Sequence, residues 1–205
     1  RLGAAATVPA LPSFGCTSSL SPYPAGASST DGIELDELER TFRVHVPTSY
    51  KPGVPAPVVF LLHGESGSGA QVEAASRMLD VAAAEGFVVV SPDGVEGRGS
   101  ARTWNAGGAA AAGVDDVLFL TAALDMLEMT TCIDLRRVYA TGVAGGARMA
   151  HRLGCEAADR FRAVAGTDVT DECTPARPVP ELAIQSQGYS ASRAAWDFFA
   201  QHPRK

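Results

Sequence analysis

The sequence has no clustered basic residues and no long apolar run. Its 205 residues include 17 Lys and Arg against 23 Asp and Glu, which gives a formal net charge of -6. Nucleic acids and anionic membranes are bound through clustered Lys and Arg, so we expect neither as a partner. The longest apolar segments, residues 58–62 and 87–90, are far shorter than the roughly 20 residues of a membrane-spanning helix. We therefore expect a soluble chain with no membrane span.

Close cysteine spacings are also absent. The four cysteines are far apart and form no C-x-x-C pair, so no metal site and no cofactor is expected. An even number of widely spaced cysteines favours disulfides, preferably Cys155 with Cys173 and Cys16 with Cys132, in an oxidising compartment. Four buried free thiols in a cytosolic protein remain the alternative. The chain begins with Arg and shows no signal segment, so we expect any targeting peptide to have been removed already. The disulfides favour a secreted or extracellular location.

Length and composition favour a single globular domain. With 46% hydrophobic residues, the chain can bury a core of its own. Residues 1–31 are rich in Ser, Pro, Gly and Ala and follow neither the helical nor the strand period, which predicts an extended arm. Residues 32–205 are predicted to form one α/β domain.

Short apolar runs alternate with longer segments of helical spacing. After an amphipathic strand at 39–47, buried strands are predicted at 58–62, 87–90, 137–141, 163–165 and 182–184. Helices are predicted at 70–85, 114–129, 144–157 and 192–201. This alternation predicts a three-layer α/β sandwich with a mostly parallel sheet, in which ligands bind at the carboxyl ends of the strands.

Residues 138–149 have the layout of a nucleophile elbow, but alanine is the central residue. In the G-x-S-x-G elbow of serine hydrolases, glycines permit a sharp turn that exposes a reactive serine. Here the pattern runs from Gly142 to Gly146, and Ala144 stands at the nucleophile position. A methyl group cannot attack a carbonyl carbon, so no functional catalytic residue is assigned.

Six short motifs occur together in one order. They are Arg43-Val44-His45-Val46-Pro47, Leu62-His63-Gly64, Ser91-Pro92-Asp93-Gly94, Trp104-Asn105-Ala106-Gly107, residues 114–120 and the elbow. In this order they resemble the feruloyl esterase and polyhydroxybutyrate depolymerase family of secreted α/β-hydrolases. The resemblance runs from about Thr41 to Ile184 and resumes at 196–203.

The resemblance implies an oxyanion hole built from backbone N–H groups. Carried over to this sequence, Gly145 supplies one donor, and the Gly64 to Glu65 region supplies the other. The same motifs predict a cleft that contains His63, Asp93, Trp104 and Asn105. The family's acid and base are expected after the strand at 182–184, but Gln185 leads almost directly to the last helix. The resemblance therefore implies a sheet truncated near its C-terminal edge, without the acid and base.

The remaining histidines and paired carboxylates have ordinary structural interpretations. His63 is interpreted as ordering its loop and His151 as a side chain on the helix surface. None of the four histidines, His45 and His202 included, lies where the general base of this fold is expected after the nucleophile. Asp115 and Asp116 are interpreted as charges favoured by a helix N-terminus, because adjacent helical residues point about 100° apart.

Three hypotheses follow. The first is a secreted pseudoenzyme that binds a carbohydrate or an aromatic ester. The second is a structural subunit that contacts neighbouring proteins in an extracellular assembly. The third is an active serine esterase of feruloyl or polyester type, represented by a shortened form with serine changed to alanine. As written, the sequence predicts no enzymatic activity.

Overall fold

The computed structural model describes residues 21–97, 101–106, 113–167, 179–185 and 188–203. Nine strands and five helices lie in these ranges. The strands are β1 Ala27–Leu35, β2 Leu38–Val46, β3 Ala56–Leu62, β4 Val88–Pro92, β5 Val95–Glu96, β6 Arg102–Thr103, β7 Ile133–Gly142, β8 Ala163–Gly166 and β9 Glu181–Ala183. The helices are α1 Gly69–Ser76, α2 Met78–Glu85, α3 Asp116–Thr130, α4 Gly145–Glu156 and α5 Gly188–Ala200.

Seven strands form the main sheet, in the order β1-β2-β4-β3-β7-β8-β9. The first two are antiparallel to their neighbours, and from β4 to β9 every pairing is parallel. Every residue of β3 and β4 is buried, as parallel strands covered on both faces require. Strands β5 and β6 form a separate small hairpin.

Helices cover both faces of the sheet. Helices α3 and α4 pack on one face through residues such as Phe119, Leu124 and Leu153. Helices α1, α2 and α5 contribute Val72, Met78, Val81, Trp196 and Phe199 to the core on the other face. The predicted three-layer sandwich with a mostly parallel sheet is confirmed. In the part of the chain that the structure describes, β9 is the last strand, and α5 follows within a few residues.

Two elements differ from the predicted pattern. Residues 27–31, which composition assigned to the N-terminal arm, form the first half of β1 and pair with β2. The turn between these strands holds Asp36 and Glu37 at φ of 50° and 63°, the positive-φ geometry of a two-residue hairpin. The helix predicted at 70–85 is divided at Arg77, whose left-handed φ of 58° ends α1 and begins α2.

The structure describes two of the four cysteines for which disulfides are predicted. Cys132 and Cys155 each take part in a disulfide bond. Cys16 and Cys173 lie outside the described residues, so the pairing itself stays a prediction; residues 1–20 of the predicted arm lie outside them too. None of the helices described has the length and apolar character needed to cross a membrane.

Candidate functional site

Ala144 occupies a strained turn between β7 and α4. Its φ of 48° and ψ of -118° lie outside the regions that L-residues ordinarily adopt, at a typical cost of about 1 to 3 kcal/mol. Two glycines make the turn possible. A Cβ on Gly142 would lie 2.4 Å from the backbone of Gly146, and one on Gly146 would lie 2.3 Å from the carbonyl oxygen of Leu62. The sharp elbow predicted from the glycine spacing is therefore present.

A cavity of about 590 Å³ opens at this elbow. This volume lies within the range of small-molecule sites. Its wall is formed by the loop after β3, helix α1, the elbow, the end of β9 and the start of α5. The lining residues include Leu61, His63, Gly64, Glu65, Val72, Met78, Thr141, Ala144, Ile184, Gln185 and Ser192.

The predicted oxyanion residues come together beside Ala144. A Cβ on Gly64 would lie 3.6 Å from the Ala144 methyl carbon, so the loop after β3 packs directly against the elbow. The backbone N–H of Gly145 is already engaged, because it donates to Glu65 Oε2 at 3.1 Å. Glu65 was expected to act through its backbone; here its side chain accepts a hydrogen bond from the other expected donor.

Arg148 completes this arrangement, although sequence reasoning missed it. Its guanidinium forms an ion pair with Glu65. Arg148 lies one helical turn beyond Ala144, and that spacing was the available signal. Burial acts to raise the pKa of Glu65, but hydrogen bonds from its own N–H and from Gly145, together with the Arg148 charge, bring the pKa below its ordinary value. Glu65 is therefore a carboxylate at neutral pH.

His63 lines the cavity, but both of its ring nitrogens are committed. Nδ1 donates to the Gly64 carbonyl oxygen at 2.6 Å, and Nε2 accepts from the Gly94 N–H at 2.9 Å. The side chain is buried, and desolvation lowers its pKa, so the ring is neutral. These contacts fit the interpretation of His63 as a residue that orders its loop.

Three of the four residues predicted for the cleft do not line the cavity. Trp104 is buried against His63 and donates its indole N–H to the His63 carbonyl oxygen at 2.8 Å. Asn105 donates its side-chain amide to the Val114 carbonyl oxygen at 2.6 Å. Asp93 accepts from the Gly69 N–H and the Thr41 hydroxyl, at 2.8 and 3.0 Å. Because the polar groups of all three are hydrogen-bonded to other parts of the fold, these residues support the wall and do not form its surface.

The paired carboxylates of α3 have different roles. Asp115 caps the helix by accepting from the Leu118 N–H at 2.9 Å, as a charge at a helix N-terminus should. Asp116 is fully buried and ion-paired with Arg40 at 2.5 Å, and it accepts from the Asn105 N–H at 2.6 Å. Both carboxylates lie at the N-terminus of α3, as predicted, but Asp116 has a further role that the sequence did not indicate, because the fold brings a buried arginine of β2 against it.

The other three histidines lie away from the cavity wall. His45 is close to the Ser28 hydroxyl at 3.2 Å, and His202 donates to the Phe198 carbonyl oxygen at 2.8 Å. His151 pairs with Glu181 at 2.9 Å. Because all four histidines of the sequence are described, His63 is the only one that lines the cavity. Among the described lining residues, Glu65 is the only acidic one. In the ranges that the structure describes, no cluster of His, Cys, Asp and Glu could hold a metal ion.

Comparisons with known proteins agree on one family. The Esterase family model matches residues 35–116. Feruloyl esterase B of Piromyces equi is 31% identical over 147 residues, which cover 68% of this chain and 27% of that protein. Feruloyl esterase C of Emericella nidulans is 30% identical over 130 residues, which cover 61% and 44%. The chain thus spans less than half the length of these two relatives.

Solved structures support the fold at lower sequence identity. The acetyl xylan esterase from Aspergillus awamori matches with a TM-score of 0.57 at 17% identity, over 68% of this chain and 53% of that one. A fluorophosphonate-binding serine hydrolase of Staphylococcus aureus matches with a TM-score of 0.56 at 13% identity, over 76% and 66%. These solved structures share the α/β-hydrolase fold with this chain, and the Esterase model match together with the two feruloyl esterase relatives shows that the chain belongs to a feruloyl esterase-like family of α/β-hydrolases.

Proposed function

We propose that this chain carries the scaffold of a carboxylic-ester hydrolase of feruloyl or acetylxylan type, with its ester-binding cavity at the elbow. The observation that carries the proposal is the strained backbone of Ala144, which faces a cavity of about 590 Å³. An L-residue is held in such a conformation only where the surrounding structure imposes it, and such strain is concentrated at functional sites. The relatives' names, which describe esterases, support the same chemistry.

The chemical step depends on what stands at position 144. Serine there would meet a carbonyl carbon held in the cavity, with the Gly145 N–H as one oxyanion donor. Ala144 offers no nucleophile, and the hydrogen bonds of His63 leave it no free nitrogen to act as a base. We infer that the form with Ala144 binds an ester without cleaving it, and that ester hydrolysis belongs to a form with serine and a general base.

The test combines hydrolysis with ligand binding. Wild type, Ala144→Ser and the control Ala191→Ser, which places a hydroxyl elsewhere on the cavity wall, are assayed with p-nitrophenyl acetate and methyl ferulate. We expect all three to hydrolyse these esters no faster than buffer. We also expect methyl ferulate to shift the NMR signals of Ala144 and Ile184 in the wild type.

Each result bears on a separate part of the proposal. Turnover by the wild type would refute binding without cleavage. Turnover by Ala144→Ser, but not by Ala191→Ser, would show that a base is in reach and would favour an active esterase altered at one residue. If no ester perturbs the cavity signals, the binding function is wrong.

We further propose an extracellular location. The disulfide-bonded state of Cys132 and Cys155 supports it, because disulfides persist mainly in oxidising compartments. A structural role in an assembly stays a second proposal, motivated by β9 as the edge of the described sheet. Light scattering at micromolar concentration tests that role, and a strictly monomeric particle would refute it.

A further inference from the structure

The chain's own carboxylate lies at the place where an ester carbonyl oxygen would be held. Glu65 Oε2 accepts from the Gly145 N–H at 3.1 Å. A Cβ added to Gly145 would lie 2.6 Å from Glu65 Oε1, so the carboxylate packs directly on the first residue of α4. The donor that follows the nucleophile position is therefore occupied by an anion.

Two positive features lie beside that anion. The Gly145 N–H belongs to the first turn of α4, where the helix dipole favours negative charge. That turn contains no acidic residue, and Ala144 makes no side-chain cap. Arg148 supplies a full charge through its ion pair with Glu65. The elbow is therefore arranged to hold a carboxylate, and Glu65 is its internal occupant.

We propose that this site binds the anion of a small carboxylic acid with an apolar body, whose carboxylate displaces Glu65 from the Gly145 N–H and pairs with Arg148. The proposal rests on the proposed role of the elbow cavity as a binding site. Displacement is feasible because the Glu65 side chain is 47% exposed and can turn into water. The apolar body then lies against the Val72, Met78 and Ile184 side of the cavity.

The exchange favours an acid over its ester. When one carboxylate replaces another, the charge-assisted contacts to Gly145 and Arg148 are conserved, and burial of the apolar body supplies the net gain. A neutral ester carbonyl would replace a charged acceptor with a weaker one and leave Arg148 without its counter-ion. The free acid is therefore expected to bind more tightly than its methyl ester, by about fivefold to tenfold.

The experiment measures the dissociation constants of ferulate and methyl ferulate by calorimetry. The proteins are wild type, Glu65→Gln, Arg148→Gln and the control Arg160→Gln, which removes the same charge from a pair with Asp125 remote from the cavity wall. We expect the wild type and the control to prefer ferulate. Glu65→Gln should bind ferulate about tenfold more tightly because the internal competitor is gone, and Arg148→Gln should lose the preference.

Two results would overturn the inference. One is methyl ferulate binding to the wild type at least as tightly as ferulate. The other is a preference for the acid that survives Arg148→Gln. These failures differ from a failure of the proposed function: binding of the ester without any acid preference rejects only the carboxylate site, and binding of the acid without the ester rejects only ester recognition.

Discussion

Breaking the buried pair of Arg40 and Asp116 should destabilise the chain more than breaking any other ion pair that the structure describes. Arg40 is 4% exposed and Asp116 is fully buried. In every other ion pair that the structure describes, at least one partner is a quarter or more exposed. The Arg40 guanidinium also lies 4.1 Å from the centre of the Phe119 ring. The pair joins β2 to α3 and, through the Asn105 N–H, to the loop beneath the site.

Removing one partner leaves the other charge buried without compensation. For Asp116→Ala, this cost is about 3 to 5 kcal/mol of unfolding free energy. In a domain of this size, each kcal/mol lowers the melting temperature by about 2 to 4 °C, so a loss of about 6 to 20 °C is expected. The neighbouring Asp115 is a matched control, since Asp115→Ala removes only a helix cap, at about 1 kcal/mol.

The assay is denaturant unfolding followed by circular dichroism, repeated with Arg40→Met, Asp116→Leu and the double variant Arg40→Met/Asp116→Leu. The double variant should recover much of the loss, because an apolar pair of similar volume replaces two buried charges. Equal losses for Asp115→Ala and Asp116→Ala would refute the reasoning. So would a double variant as unstable as the sum of its single changes.

Two further predictions concern the strained turn at Ala144 and two buried histidines. Ala144→Gly should raise the unfolding free energy by about 1 kcal/mol, since glycine adopts the positive φ of 48° without strain; a loss measured by denaturant unfolding would show that the turn is not strained. The second concerns pH. Burial lowers the pKa of His63 and of His45 below 6.5, so the unfolded chain binds protons more readily, and the stability that each neutral ring contributes should be lost as pH falls from about 6.5. His63→Gln and His45→Gln should each reduce that slope in unfolding titrations, and an unchanged slope in both would contradict the assignment.

The architecture could be predicted because its signals are local. Runs such as residues 58–62 and 87–90 are apolar on both faces, and that composition suits a strand covered by helices on both sides. The elbow could be located for a similar reason, because Gly142 and Gly146 lie at the spacing that a sharp turn between strand and helix requires. The pattern failed at β1, whose residues 27–35 do not alternate between apolar and polar. Pairing with β2 forms this strand, and no local signal predicted it.

The site could be predicted only in part. Its backbone elements, the Gly64 loop and Gly145, follow from motifs within single segments. The roles of side chains depend on partners distant in sequence: Glu65 meets Gly145 across 80 residues, and Arg40 meets Asp116 across 76. The same dependence excluded Asp93, Trp104 and Asn105 from the cavity wall, because each is hydrogen-bonded to segments that the fold brings together.

Residue order along the chain was therefore sufficient to specify the alternating strands and helices, the family and the sharp turn at Ala144, since each depends on neighbours a few residues apart. Three-dimensional packing was needed to show that both ring nitrogens of His63 are hydrogen-bonded, that Asp116 is buried, and that the Glu65 carboxylate accepts the Gly145 N–H. Those properties depend on burial and on long-range contacts, which arise only when the sheet and its helices assemble.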